Sequence, residues 1–115
     1  MSELSRLPLA DIERAALAEF LEWLRRRFGS RVSEIRHFGS RARGEGNADS
    51  DVDLLVAVTA LTSAERREIG QISGDALTHW DVLLSPLAMS SEHLAELRAS
   101  ERQIASEIDR DGIAL

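Results

Sequence analysis

The sequence contains no cysteine, no long apolar run and fewer basic than acidic side chains. The absence of cysteine excludes disulfide bonds and thiolate metal ligands, and it fits a reducing compartment. No apolar run approaches the roughly 20 residues that a membrane helix needs. The opening MSELSRLPLADIER also lacks the basic start and apolar block of a targeting segment. We therefore expect a mature, cytoplasmic chain that makes no membrane contact.

The charge balance limits what the chain can bind. Its 115 residues include 14 Lys and Arg against 20 Asp and Glu, which gives a formal net charge of −6. Broad adhesion to nucleic acid depends on many contacts between cations and phosphates, so no direct nucleic-acid partner is expected. Any phosphate ligand should instead be bound locally. Because 43% hydrophobic and 30% charged residues are typical of one compact domain, we interpret residues 1–115 as a single domain.

Two hydrophobic periods alternate along the first half of the chain. Helical spacing over residues 11–27 predicts a first helix, with Gly29 available to end it. The apolar residues of 32–38 suit a short, partly exposed strand. The nearly continuous apolar run at 52–58 predicts a stronger strand near the centre of a sheet.

The second half continues the alternation. Helical spacing returns over residues 62–77, where a threonine or serine can cap the first turn. The stretch HWDVLLSP predicts a third strand that Pro86 ends, and residues 90–110 predict one last helix opened by a serine. The final GIAL is a candidate for a small closing strand. Helices that alternate with strands predict a sheet covered by helices.

The most informative stretch is FGSRARGEGNADSDVDLLV, from Phe38 to Val56. Residues two apart in an extended chain point to the same face, so Asp51 and Asp53 should hold their carboxylates side by side. Like charges at this spacing repel, and a divalent cation relieves the repulsion. Mg²⁺ commonly binds one or two carboxylates together with substrate phosphates. The sequence therefore predicts a metal site at the start of the second strand.

A turn suited to phosphate lies upstream of these acids. Gly39 and Ser40 follow a predicted strand, and the next residues, RARG, are able to open a short helix. Backbone N–H groups at such a turn hold phosphate, and the absent side chain of glycine permits close approach. Arg41 and Arg43 either add positive charge for phosphate or a partner, or are surface charges that balance nearby acids.

The order of these residues resembles a known signature. GS followed by RARG, and then SDVD, resemble the DNA polymerase β-type nucleotidyltransferase superfamily. More narrowly, HFGSRARGEGNADSDVDLLV is similar to the minimal nucleotidyltransferase (MNT) family of prokaryotes. The resemblance covers nearly the whole chain in length and element order. It implies an α+β fold, in which helices flank a mixed β-sheet.

The resemblance also implies roles for individual residues. It makes Asp51 and Asp53 catalytic residues and metal ligands, and Asp81 within HWDVLLSP matches the third carboxylate that the family places on a neighbouring strand. From the residues alone, an acid of an edge strand is the alternative, but an unpaired charge buried beside Leu83 would be costly, which favours the metal role. His37 departs from the usual apolar residue before Phe-Gly-Ser, and we expect it at the exposed edge of its strand. The implied nucleotide-binding residues are Gly39, Ser40, Arg43 and Ser50.

The function that the resemblance implies is transfer of AMP from ATP, with two Mg²⁺ ions, to an acceptor hydroxyl. MNT proteins are often encoded beside HEPN-type ribonuclease toxins and act as their antitoxins, and the implied acceptor is a tyrosine of that toxin. Two alternatives stay open. One is a non-catalytic antitoxin or regulatory subunit that only binds its partner, which intact Asp51, Asp53 and Asp81 disfavour. The other is a transferase for a small molecule, which the short length disfavours.

Overall fold

The fold was analysed in a computed structural model that describes residues 9–39, 51–100 and 103–115. Within these ranges, four strands form one mixed sheet and four α-helices flank it. The helices are α1 (Asp11–Phe28), α2 (Ser63–Trp80), α3 (Ser91–Ala99) and α4 (Gln103–Asp111). The strands are β1 (Val32–Phe38), β2 (Val52–Val58), β3 (Leu84–Ser90) and β4 (Ile113–Ala114). The predicted α+β class is confirmed.

The strand order in the sheet is β3, β2, β1, β4. β1 pairs antiparallel with β2 and with β4, whereas β2 and β3 are parallel and are connected through α2. β2 therefore lies inside the sheet, as its apolar run predicts. Because β2 and β3 run in the same direction, their first residues lie at one end of the sheet, together with the last residue of β1. We call this the open end.

β2 is buried on both faces. Side chains of Val52, Leu54, Val56 and Val58 belong to the core beneath α1 and α2. On the other face, Leu55 and Ala57 pack in a smaller cluster with residues of β3, α3 and α4. This two-sided burial explains why its sequence is a continuous apolar run. No helix in the described ranges has the length and apolar character to cross a membrane.

Local signals account for the ends of the first two helices. Gly29 ends α1 with φ +56°, a conformation that glycine adopts without strain. Thr62 caps α2, since its hydroxyl accepts a hydrogen bond from Glu65 N at 3.1 Å. The Glu65 carboxylate in turn accepts from Thr62 N at 3.0 Å, which completes a capping box. Of the two predicted caps for α2, the threonine is the one used.

The predicted third strand is wrong at both ends. α2 continues to Trp80, and β3 begins only at Leu84, so Pro86 lies inside the strand instead of ending it. Val52 N donates to Leu83 O at 3.0 Å. With this register of the parallel ladder, the backbone nitrogen of Pro86 faces away from β2. β3 is an edge strand, and proline is tolerated where its missing N–H faces solvent.

The predicted last helix is two helices, α3 and α4. α3 packs on β2 and β3, whereas α4 packs on β1. The closing strand predicted from GIAL is confirmed as β4, which pairs with β1.

Arginine and glutamate side chains connect these layers. Arg98 of α3 lies 2.8 Å from Glu34 of β1 and 2.6 Å from Asp109 of α4. Hydrogen bonds from Arg98 hold the pKa of Glu34 below its usual value. On the other side of the sheet, Arg31 Nη2 lies 2.8 Å from Glu65 Oε1 of α2. The hydrogen bond from Arg31, followed by the backbone of the Thr62 cap, lowers the pKa of Glu65 to about 2.

Candidate active site

The two aspartates lie where β2 begins, at the open end. Asp53 is the second residue of β2 and Asp51 directly precedes the strand. Val52 and Leu54 point into the core beneath α1 and α2. Alternation along the strand therefore directs Asp51 and Asp53 to the opposite face, the one that α3 and α4 partly cover. Both side chains are partly exposed, so they are accessible to a ligand.

The electrostatics of this pair favour a bound cation. Partial burial raises the pKa of Asp53, the charge of Asp51 raises it further, and His37 acts in the opposite direction. A carboxylate whose charge is disfavoured by a neighbouring carboxylate is stabilised when a divalent ion binds beside it. Hard oxygen ligands of this kind suit Mg²⁺. The residues present therefore fit a magnesium site.

The described residues provide only part of a complete coordination shell. Among them, no group of three or more His, Cys, Asp or Glu side chains is arranged to hold a metal ion. Mg²⁺ usually retains waters and takes substrate phosphates as further ligands, so a pair of carboxylates is sufficient for a nucleotide-bound ion. The roles of Asp51 and Asp53 as metal ligands stay predictions.

Gly39 lies against the Asp53 carboxylate. Its φ is +83°, a conformation that residues with a side chain rarely adopt. A Cβ atom at this position would contact Asp53 Oδ2 and would lie 3.2 Å from Asp53 Cγ. The positive φ therefore favours glycine, and a residue with a side chain would also require the Asp53 carboxylate to move. The predicted phosphate turn thus begins directly beside the predicted metal ligand.

Asp81 is placed differently from its prediction. It follows Trp80 as the C-cap of α2, in the left-handed conformation with φ 56° and ψ 37°, and its side chain is exposed. Its N–H donates to Leu77 O at 3.1 Å, which ends the helix. The next residue, Val82, is buried in the core, whereas Asp81 is not. Asp81 is therefore outside the strand, although it lies near the start of β3 and so at the open end. Its catalytic role stays a prediction.

The other implied nucleotide-binding residues lie outside the described residues. These are Ser40, Arg43 and Ser50, and Arg41 lies outside them as well. Their predicted contacts with phosphate stay predictions.

The prediction that His37 lies at an exposed edge is wrong. Its side chain is 0% exposed, and it pairs across the ladder with Leu54. His37 Nδ1 lies 3.1 Å from the carbonyl oxygen of Asp53, so the tautomer with a proton on Nδ1 donates to that oxygen. β4 covers the outer side of β1, which is therefore not an edge strand. The signal that pointed to this burial was the closing strand itself, together with Ile35 two residues earlier.

A separate cleft lies between α1 and α2. It has a volume of about 530 Å³ and is lined by residues of α1 and α2, including Phe20, Trp23 and Trp80. These helices cover the face of the sheet opposite to the aspartates. The cleft is therefore separate from the candidate active site.

Comparisons with known proteins agree with this arrangement. Residues 17–107 match the family model of the nucleotidyltransferase domain. A segment of 60 residues is 51% identical to the protein adenylyltransferase MntA of Thermococcus cleftensis, over 52% of this chain and 58% of that protein. A segment of 58 residues is 34% identical to a protein of Methanocaldococcus jannaschii that is assigned as a protein adenylyltransferase, over 50% of this chain and 59% of that protein. The match thus spans less than two thirds of each relative.

Solved structures share the fold. A chain assigned to the minimal nucleotidyltransferases superposes with a TM-score of 0.56 at 29% identity, over 92% of this chain and 97% of that chain. A structure of the MntA-HpeT toxin-antitoxin complex gives a TM-score of 0.55 at 19% identity, over 85% of this chain and 70% of that chain. At that lower identity, the likeness shows the fold alone. Since the family model covers most of the sequence, the chain belongs to the nucleotidyltransferase domain family, with the minimal form of the fold.

Proposed function

We propose that this chain is a Mg²⁺-dependent protein adenylyltransferase that transfers AMP from ATP to a hydroxyl of a partner toxin and thereby acts as an antitoxin. The observation that carries the proposal is the pair Asp51 and Asp53 with Gly39 packed against it, within a nucleotidyltransferase domain. The relative from Thermococcus is named a protein adenylyltransferase, and MntA is a component of a toxin-antitoxin complex. We further propose a HEPN-type toxin as partner and a tyrosine as acceptor.

The residues of the chain would bind and orient the nucleotide. The backbone at Gly39 and Ser40 would hold the phosphates, with Arg43 and Ser50 as further contacts. Asp51 and Asp53 would hold Mg²⁺, with Asp81 as a further ligand. When bound, the metal supplies positive charge to the attacking and leaving oxygens. The chain itself contributes mainly position and a fixed electrostatic environment.

The proposed reaction is in-line displacement at the α-phosphorus of ATP. The acceptor oxygen forms a bond to the α-phosphorus, and the bond from that phosphorus to the bridging oxygen breaks. Pyrophosphate leaves, and AMP remains on the acceptor. The proton of the acceptor hydroxyl passes to a carboxylate, for which Asp81 is the candidate because it is exposed at the open end.

The test is incubation of the protein with ATP, Mg²⁺ and the product of the adjacent gene, followed by measurement of the intact mass of both proteins. The partner should gain one AMP in the presence of the wild type and of the control Asp75→Asn, which alters an exposed aspartate of α2. Asp53→Asn should give far less adduct than the wild type in the same time. A partner that stays unmodified with the wild type, while ATP is bound, would refute the proposal.

Asp81 can be tested separately from the other two acids. Asparagine tolerates the left-handed conformation at a helix C-cap, so Asp81→Asn should retain the end of α2 and alter only the charge. If Asp81 serves the reaction, this variant should lose transfer but keep most of its ATP affinity. Transfer at the wild-type rate would assign Asp81 to capping alone.

A non-catalytic antitoxin is the second candidate. It is favoured by one observation, that Asp81 does not form a three-ligand group with Asp51 and Asp53 among the described residues. In that case the wild type and Asp53→Asn would neutralise the partner equally well, and neither would add AMP to it. The mass measurement, combined with an assay of partner activity, separates the two candidates.

A further inference from the structure

Two leucines are exposed on the face of the sheet that carries the aspartates. Leu83 and Leu87 are 45% and 36% exposed. In the parallel ladder, Leu87 lies beside Leu55 and Ser85 lies beside Asp53, and Leu83 is two residues before Ser85. The bond from Val52 N to Leu83 O extends the pairing by one residue before β3. Side chains two apart share a face, so both leucines lie on the face of Asp53, Leu87 within β3 and Leu83 directly before it. We call Leu83 and Leu87 the leucine pair.

The leucine pair and Gly39 lie on opposite sides of Asp53. β2 is flanked by β1 on one side and β3 on the other. Gly39 follows Phe38, the β1 residue that pairs with Asp53, so a phosphate turn at Gly39 holds the nucleotide phosphates toward β1. The attacking and leaving oxygens lie roughly in line during transfer. With the phosphates on the side of β1, the proposed reaction brings the acceptor hydroxyl from the side of β3.

The edge of β3 disfavours the addition of another strand. Leu83 O accepts from Val52 N, so the backbone groups of the odd-numbered residues point toward β2. The amides of the even-numbered residues of β3 therefore face outward. Pro86 is one of these, and it lacks the N–H that an added strand would need. Recognition at this edge is therefore expected to depend on side chains more than on the backbone.

The surroundings of the leucine pair are acidic. Asp81 is exposed and lies two residues before Leu83. Asp51 directly precedes Val52, whose N–H donates to Leu83 O. The whole chain also carries a formal net charge of −6. An apolar surface with an acidic border is complementary to an apolar side chain flanked by lysine or arginine. This complementarity limits the kind of segment that can dock here.

We propose that the leucine pair is the docking surface for the acceptor segment of the partner protein. The segment would carry an apolar side chain that packs on Leu83 and Leu87, with a lysine or arginine near the hydroxyl that receives AMP. This inference rests on the proposed function, because it specifies how the protein acceptor reaches the aspartates. Apolar contacts near a reacting group hold the acceptor in the orientation for attack.

The experiment measures the rate of AMP transfer as a function of partner concentration, at saturating ATP and Mg²⁺. The probe is the purified product of the adjacent gene. Leu87→Arg removes apolar area and adds a charge that repels a basic segment, so the KM for the partner should rise about tenfold or more. Leu87→Ala should raise it about threefold. The affinity for ATP should be unchanged in both variants.

The matched control is Leu77→Arg. Leu77 is 48% exposed, but it lies on α2, which covers the opposite face of the sheet. This variant should have the wild-type KM for the partner. Since Leu87 lies within a strand, thermal unfolding and ATP binding verify that each variant is folded. If Leu87→Arg fails either check, Leu87→Ala decides the question.

The possible outcomes separate this inference from the function on which it rests. A raised KM in the Leu87 variants with a normal Leu77 control supports the inference. A wild-type KM in the Leu87 variants overturns it and leaves the proposed function intact. If the wild type binds ATP but modifies no partner, the proposed function fails, and this inference fails with it.

Discussion

Acidic residues of this domain lie in two opposite electrostatic environments. Glu34 and Glu65 each lie against arginine, and both have a lowered pKa. Asp53 at the open end of the sheet lies beside another carboxylate, Asp51, and its pKa is raised. The first arrangement stabilises the fold, because the charged form is favoured there. The second costs stability, because the charged form is disfavoured until a cation is bound.

This contrast indicates where a ligand belongs. A lowered carboxylate pKa is typical of ion pairs that connect helices and strands, and such pairs need no further partner. A raised pKa at a partly exposed pair with a glycine packed against it is typical of a site that a ligand completes. The comparison therefore predicts that removal of charge has opposite effects on stability at the two places.

The largest expected effect is that of Asp53→Asn. Transfer of AMP should fall by about 100-fold or more, since a metal ligand is lost. In the metal-free protein at neutral pH, the melting temperature should stay equal or rise, because the raised pKa of Asp53 means that its ionised form disfavours folding. Mass spectrometry and thermal unfolding in EDTA measure the two quantities. A clear fall in melting temperature would contradict the comparison.

The next effect is that of Gly39→Ala. The positive φ and the contact with Asp53 should lower the free energy of unfolding by about 1–3 kcal/mol and should also weaken ATP binding. The matched control is Gly74→Ala in α2, where a Cβ atom meets nothing within 4 Å. That change should stabilise the fold by about 0.5–1 kcal/mol. Denaturant unfolding compares the two, and equal effects would remove the special role of Gly39.

A smaller effect is expected at the arginine that connects α3, α4 and β1. Arg98→Met should lower the free energy of unfolding by about 1–2 kcal/mol, because Glu34 and Asp109 lose their hydrogen bonds. Arg26→Met is the control, since Arg26 is mostly exposed and lies 3.8 Å from Glu22. It should change stability by less than about 0.5 kcal/mol. Similar losses in both variants would show that the Arg98 contacts add nothing specific.

The smallest effect concerns acid stability at Glu65. Its pKa is lowered from an ordinary value of 4.5 to about 2 in the folded chain. A lowered pKa stabilises the fold above the ordinary value, and this contribution is lost as the pH falls toward the folded value. The stability difference between wild type and Glu65→Gln should therefore be largest above pH 4.5 and should shrink toward pH 2. A constant difference across this range would contradict the assignment, and Glu22→Gln provides an exposed control.

Most of the fold could be predicted from local patterns. Strong periodicity predicts α1 and β2, the threonine cap predicts the start of α2, and the final apolar residues predict β4. The acidic pair was also predictable, because its geometry follows from alternation along one strand. The interpretation of residues 1–115 as one domain stays a prediction.

Two placements could not be predicted from local patterns. The end of α2 could not be predicted, because Gly70 and Gly74 weaken the helical signal although the helix tolerates both. Asp81 was therefore assigned to a strand instead of a helix cap. The burial of His37 depends on β4, which is far away in sequence and pairs with the outer side of β1. Local propensity contains no information about such a neighbour.

Pro86 also has a consequence for how copies of this domain behave at high concentration. A sheet with exposed edge strands risks the growth of fibrils, in which edge strands of successive copies pair. β3 interrupts such growth with a proline that cannot donate, and the opposite edge strand, β4, has only two residues. Replacement of Pro86 by valine would restore the missing donor. Such a domain would fold as before, but it would be expected to assemble into fibrils more readily.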